Sequence, residues 1–455
     1  MNMPTALRRH WRPLLSLLFG ALVYFFWLSR YPYLLLGKES LNLFLFDQEH
    51  LLDRLSFPGG MARYISEFLT QFFLDVRWGA LVYALLLTGL QRAVWRLCEG
   101  RRAETYLLTF IPSISLWYLS ANTDIQLTYL VAVVLTTTVL ALSPRKRISG
   151  LCVLAAATPL VYWLCGPVAA MLPFGVFLRQ RHTRRSAILW FAALMLWAAL
   201  CIAGSWWVAA YPLHQLVQGI GYCFRGSAAT SIGLLVPPSA ILAVALFASR
   251  QGSRAGAKVC RWAGAALCLA GLLLVWHHFS ATDYEEIEYD ALQRMGMTSH
   301  IAAKSRASSP KSTVCQLVAR QAASPASGQA QDTELLKALM DNGMMHSQSS
   351  AFMLSDLFLK NGLVNKSQHA AFEAMESVWY SKSARALRRL VETNLITGHY
   401  AVALKYISLL EETLFYRSWA REMRSLAEHP DQIGSHPVYG PLRNVYLHTR
   451  DELFF

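Results

Sequence analysis

Long apolar runs punctuated by clusters of cations constrain this chain more than any other feature. A backbone surrounded by hydrocarbon must satisfy its own hydrogen bonds, which leaves only the helix or the closed barrel. Runs with cores near 13–29, 78–97, 106–120, 127–143, 149–165, 167–178, 187–209, 231–248 and 262–277 recur as far as residue 277. Each approaches the roughly 20 helical residues that cross about 30 Å of hydrocarbon. Composition agrees: 15% of the residues are charged, against about 25% in a soluble domain. The first run follows Arg8, Arg9 and Arg12 and ends at Arg30 without a small-residue cleavage site, which reads as an uncleaved signal anchor.

The net charge of +14 would suit a nucleic-acid partner, but its placement excludes one. Residues 1–277 carry 24 Lys/Arg and 9 Asp/Glu, whereas 278–455 carry 18 and 19. Within the apolar part, 18 cations fall in five clusters around Arg8, Arg96, Lys146, Arg184 and Lys258. Placing all five clusters in the cytoplasm obeys the positive-inside rule and makes the crossings between them even in number. The expected topology is about nine spans in the cytoplasmic (inner) membrane, with a cytoplasmic N-terminus and a periplasmic C-terminal domain. Between Arg147 and Arg179 lie 31 uncharged residues broken by Gly166-Pro167, either two short tilted helices or a re-entrant hairpin. No Asp or Glu occurs from Ile125 to Thr282, which argues against a carboxylate-driven transporter. The eight cysteines show no zinc spacing. Cys152, Cys165, Cys201 and Cys268 read as small hydrophobes, while Cys223 and Cys315 would both face the oxidising side and could pair.

This topology directs the search for chemistry to the outer face. The first outer loop, 30–77, contains Asp47, Glu49 and His50, then Phe57-Pro58-Gly59-Gly60 opening a helix. In that helix Met61, Tyr64, Ile65, Phe68, Leu69 and Phe72 form an apolar stripe, with Arg63 and Glu67 at i,i+4 on the polar side. Such a helix is expected to lie along the membrane surface. Asp124, in the turn 120–124, and Arg225 and His214, in the loop beyond Val208, are expected on the same side. A carboxylate acting as base or metal ligand, beside an Arg on phosphate, would suit chemistry on a lipid-linked phosphate. Solvated loop residues and packing salt bridges are the competing use of the same groups.

From residue 278 onward the composition is ordinary and helical. Residues 303–331, rich in Ala, Ser and Gln with Pro310 and Pro325, read as a flexible segment. Gly362 and Gly398 lie 36 residues apart, each between two short apolar helices, close to the ~34-residue tetratricopeptide period. Gly398, Tyr400, Ala403 and Leu410 follow the second half of that repeat's pattern. The expected fold is therefore all-α: a polytopic domain over 1–277 followed by an extracytoplasmic helical-repeat domain over 278–455.

Phe46-Asp47-Gln48-Glu49-His50, the helix from Pro58-Gly59-Gly60 to Phe73, Asn122-Thr123-Asp124-Ile125-Gln126, and the run from Leu395 to Ala420 together resemble an uncharacterised family of Bacteroidetes multi-pass membrane proteins, known only as a domain of unknown function. The resemblance covers most of the chain. Members of that family run on past the position of Phe455, which would make this a short or truncated member. More distantly, the plan is similar to GT-C glycosyltransferases. That likeness implies a first-loop carboxylate, here Asp47 or Glu49, as catalytic base or metal ligand, and a polyprenyl-phosphate-linked sugar as donor. Asp124 would be a further catalytic candidate, with Arg225, His50 and His214 on the substrate; the metal and any cofactor are left unspecified. The second reading is a non-enzymatic scaffold that binds envelope proteins through residues 335–425, for which an exposed apolar groove between residues 350 and 425 is expected.

Overall fold

A computed structural model describes residues 5–98, 105–143, 157–179, 184–209, 211–224, 228–250, 254–277, 281–323, 347–376 and 382–448. Among these every regular element is a helix, and the one β pairing is an isolated antiparallel bridge between Ile125 and Cys223. The apolar runs become the helices Thr5–Ser29, Val76–Leu97, Ile111–Ser120, Leu127–Leu142, Thr158–Cys165, Met171–Arg179, Arg184–Val208, Val236–Arg250 and Arg254–His277. Two stretches, Trp11–Ser29 and Thr230–Ala248, are both long and apolar enough to cross a bilayer; five others are apolar but shorter. Among the described residues, helix length by itself thus supports two spans where hydropathy and charge predict about nine.

The chain forms two units by internal packing. The first comprises Met1–Arg30, Gln48–Thr70 and Arg77–Phe279. Its first helix buries Phe19, Val23, Phe26 and Trp27 while Leu14, Leu17, Leu18, Leu22 and Phe25 stay exposed, Leu17 at 69%. Trp207 and Trp262 are 87% and 79% exposed. Apolar side chains therefore occupy both faces of these helices, where a water-soluble fold would keep one face polar. Polar groups lie inside instead. Ser16 Oγ donates to Gln91 Oε1 at 2.7 Å, Gln91 Nε2 donates to Thr109 Oγ1 at 2.8 Å, and the Tyr106 hydroxyl donates to the Arg12 carbonyl at 2.6 Å. Small residues bring the helices close: a Cβ on Gly20 would stand 2.8 Å from Thr88 Oγ1, and one on Gly271 2.8 Å from an Ile114 methyl.

The helix Gly60–Thr70 is inside-out. Ala62, Arg63, Ser66, Glu67 and Thr70 are buried, whereas Met61, Tyr64, Ile65, Phe68 and Leu69 are only partly so. The expected stripe is there, but the polar side, expected in water, faces the protein.

The second unit comprises Tyr31–Asp47, Gln71–Val76 and Ser280–Phe455. This grouping differs from the division at 277/278, since two pieces of the first loop pack with the C-terminal residues. The joining contacts are specific. Leu43 sits in one core with Leu359, Val364 and Leu390, the Ala384 amide donates to the Asn42 carbonyl at 3.1 Å, and the Phe46 amide donates to the Glu412 carbonyl at 2.8 Å. Such long-range pairings leave no mark in local composition.

The helices Gln348–Lys360, Val364–Glu376, Ala384–Thr397, Tyr400–Glu411 and Arg417–Glu428 pack each on the next. Gly362 and Gly398 stand at positive φ, +77° and +88°, where the first and third of these helices end. The turn signals are thus where the sequence places them. The flexible segment is not: residues 298–307 and 313–323 are helices, and the second buries Val314, Cys315, Leu317 and Val318. That i, i+3, i+4 stripe outweighs the small and polar residues around it. Residues 324–346 lie outside the described residues. Neither Cys223 nor Cys315 is in a disulfide.

Candidate functional site

Glu67 is the centre of the most strongly charged cluster described in the first unit. Its place one turn beyond Arg63 lets the Arg63 Nε donate to Oε1 at 2.8 Å. The preceding helix, Gln48–Leu55, delivers two more partners: Arg54 Nε donates to Oε2 at 2.8 Å, and His50 Nε2 stands 3.2 Å from the same oxygen. Burial alone would push the Glu67 carboxyl up. Arg63, His50 and Arg54 outweigh it and hold the group down at about 2. It is therefore a permanent carboxylate at neutral pH, with both oxygens engaged, and suits holding two cations and an imidazole in place better than moving a proton.

The turn between these helices explains its glycines. A Cβ on Gly60 would fall 1.5 Å from the Arg54 carbonyl oxygen, and Gly59 has φ +91°. The turn docks on the break in the uncharged interval: the Gly59 amide donates to the Trp163 carbonyl at 2.8 Å, and Trp163 Nε1 donates to the Leu55 carbonyl at 2.9 Å. Gly166, at φ +80°, ends the helix Thr158–Cys165, and the Tyr222 hydroxyl donates to the Cys165 carbonyl. One residue before Tyr222, Gly221 lies so close that a Cβ there would meet Arg63 Cδ at 3.1 Å. The 219–224 segment in turn pairs with the Asp124 turn: the Phe224 amide donates to the Asp124 carbonyl at 2.7 Å, and the Gln126 amide donates to the Tyr222 carbonyl at 2.9 Å.

Tyr222 also borders an apolar cavity of about 470 Å³, with Tyr129, Met171, Phe174, Leu235 and Leu242 among its walls. Gln218 and Ser231 supply polar lining. A cavity of this size and character takes a hydrocarbon chain rather than a sugar.

The residues expected to act are only partly brought together. His50 joins the Glu67 cluster, and the Asp124 backbone joins the 222–224 segment. Glu49 is exposed in the first turn of its helix, where a negative charge is favoured. His214 is exposed on the helix Leu213–Gln218. Asp47 is exposed and belongs to the second unit, so the Asp47/Glu49 pair divides between units. Arg225 lies outside the described residues. Among the described residues no group of three His, Cys, Asp or Glu side chains is arranged to hold a metal ion. Reading the sequence missed the centrality of Glu67 and the roles of Arg54, Trp163 and Tyr222. The i,i+4 spacing of Arg63 and Glu67 was the one signal available.

A model of a family of unknown function, DUF6057, matches residues 8–455. No curated protein and no solved structure matches the chain.

Proposed function

The chain belongs to that family, and on this premise we propose that it is a multi-pass membrane protein acting on a lipid-linked phosphate at the outer face, in the manner of a GT-C-like glycosyltransferase. The observation that carries the reading is the apolar cavity of about 470 Å³, connected through Gly221 and Tyr222 to the Arg63–Glu67 cluster. A polyprenyl chain fits the cavity's chemistry, and polar groups adjoin it on the 219–222 side. The helices with apolar side chains on both faces support a hydrocarbon surround, as does the inside-out helix Gly60–Thr70. In this reading the shorter helices complete the nine spans in the inner membrane, and the acid–base role falls to Asp124 or to a first-loop carboxylate, Glu49 or Asp47. The Glu67 cluster is a positioning device, and Arg225 and His214 are the proposed phosphate contacts.

The test uses the full chain in lipid nanodiscs with a photoreactive polyprenyl phosphate. Met171→Trp and Leu235→Trp would fill the cavity and should remove most of the labelling; undiminished labelling in both variants would sink the lipid site. Asp124→Asn and Glu49→Gln should alter envelope glycan composition in cells. Unchanged glycans would reject the enzyme and leave the scaffold, which the consecutive helix stack of the second unit supports.

A further inference from the structure

One cavity of the second unit has a charged lining. It encloses about 220 Å³ and is lined by Arg294, Lys360, Arg385, Arg388 and Arg389, with two carboxylates, Asp356 and Glu392, among its walls. It lies wholly within the second unit. We propose that this cavity binds a small soluble phosphate ester that carries hydroxyl groups, a phosphorylated sugar being the simplest case.

Charge bookkeeping selects an anion. Arg385 is held in a bidentate pair by Asp290, 2.7 and 2.8 Å away, and reaches Asp356 at 3.2 Å. Arg389 bonds Asp356 and lies 3.0 Å from Glu392, and Arg294 lies 2.8 Å from Glu39. With Asp290 and Glu39 counted, five cations face four carboxylates, and the surplus positive charge lies at the exposed rim, where it favours an incoming anion. The uncommitted donors are at the rim. Arg388 uses only Nε, toward Glu392 at 3.3 Å, while its guanidinium stacks over Trp419. Lys360 is exposed and, after Arg389 and Arg385, adds its charge to those that stabilise the Asp356 carboxylate. A planar guanidinium fork beside an ammonium suits a phosphate group.

Gln293 adds the hydroxyl. It lines the cavity and its Nε2 donates to the Met353 carbonyl at 3.2 Å, which leaves Oε1 buried without a hydrogen-bond partner among the described residues. A buried acceptor of this kind is costly unless something donates to it. A hydroxyl carried beside the phosphate can donate to Oε1 while the phosphate oxygens stay on Arg388 and Lys360; inorganic phosphate has only its own P–OH to offer to both ends. The volume is below the ~300 Å³ at which sites for larger ligands begin, so the ligand is a single sugar phosphate or smaller.

The experiment is isothermal titration of the full chain in nanodiscs with glucose 1-phosphate and, separately, inorganic phosphate. The sugar ester should bind saturably and roughly tenfold or more tightly than inorganic phosphate, about 1.4 kcal/mol. Arg388→Gln with Lys360→Gln should weaken both ligands roughly tenfold while leaving the melting temperature unchanged, the value of about one charge-assisted contact. Gln293→Leu should abolish the preference for the ester without abolishing phosphate binding. Equal binding of the two ligands, no saturable binding, indifference to the rim variants, or binding only to anionic phospholipid vesicles would each overturn the proposal. Arg424→Gln, which breaks the part-buried pair with Glu411, is the control outside the cavity and should leave binding unchanged.

Discussion

At the residue scale, burial rather than identity decides what Glu67 does. Its depressed proton affinity means that its contribution to stability is complete above about pH 5 and is lost as the pH falls from its ordinary 4.5 toward about 2. Thermal unfolding in nanodiscs should therefore show an acid-labile phase in that window, worth roughly 3 kcal/mol, and Glu67→Gln should flatten it. At neutral pH the same substitution leaves Arg54 and Arg63 buried against a neutral amide and should cost about 3–5 kcal/mol, read from the unfolding midpoint. Gly60→Ala should be more damaging than its size suggests, because the added methyl collides with backbone rather than with a side chain that can rotate; loss of folded protein by size-exclusion chromatography is the expected result. The Arg63–Glu67 pair was legible from its spacing. Its burial was not, because helical spacing defines a polar face without saying which face the rest of the protein covers.

At the element scale, hydropathy was a good guide to helices. The apolar runs became helices wherever they are described, and the broken interval shows Gly166 at positive φ between Thr158–Cys165 and the 3-10 turn Pro167–Ala170 that leads into Met171–Arg179. The helix Thr313–Ala323 was obscured by composition, since Ala, Ser and Gln lowered the local signal while Val314, Leu317 and Val318 kept the period. The two turn glycines of the second unit were legible and can be ranked. Gly398→Ala meets nothing nearer than the Tyr400 hydroxyl at 3.9 Å, so its cost should be the left-handed backbone alone, about 1 kcal/mol. Gly362→Ala would also drive its methyl to 2.3 Å from Val445, and chemical denaturation should show it the more destabilised of the two.

At the scale of the whole molecule, charge placement is what the proposed topology rests on. An engineered cysteine at Ser418 should react with a membrane-impermeant maleimide in intact cells, and one at Lys146 only after lysis; the reverse pattern would invert the orientation. The change of composition near residue 278 was legible, but the return of Tyr31–Asp47 and Gln71–Val76 to the C-terminal unit was not, because it depends on pairings more than 200 residues apart in the chain. That return sets an order of events during synthesis. At about 5–20 residues per second, Glu39 leaves the ribosome on the order of tens of seconds before Arg294 and Tyr416, the groups that later enclose it. The nascent loop must hold an unmatched carboxylate and an uncovered Leu43 through that interval, a natural client for a holding chaperone. For the same reason, a ribosome halted near residue 280 would release the first unit trailing an orphaned strip, a target for quality-control proteases.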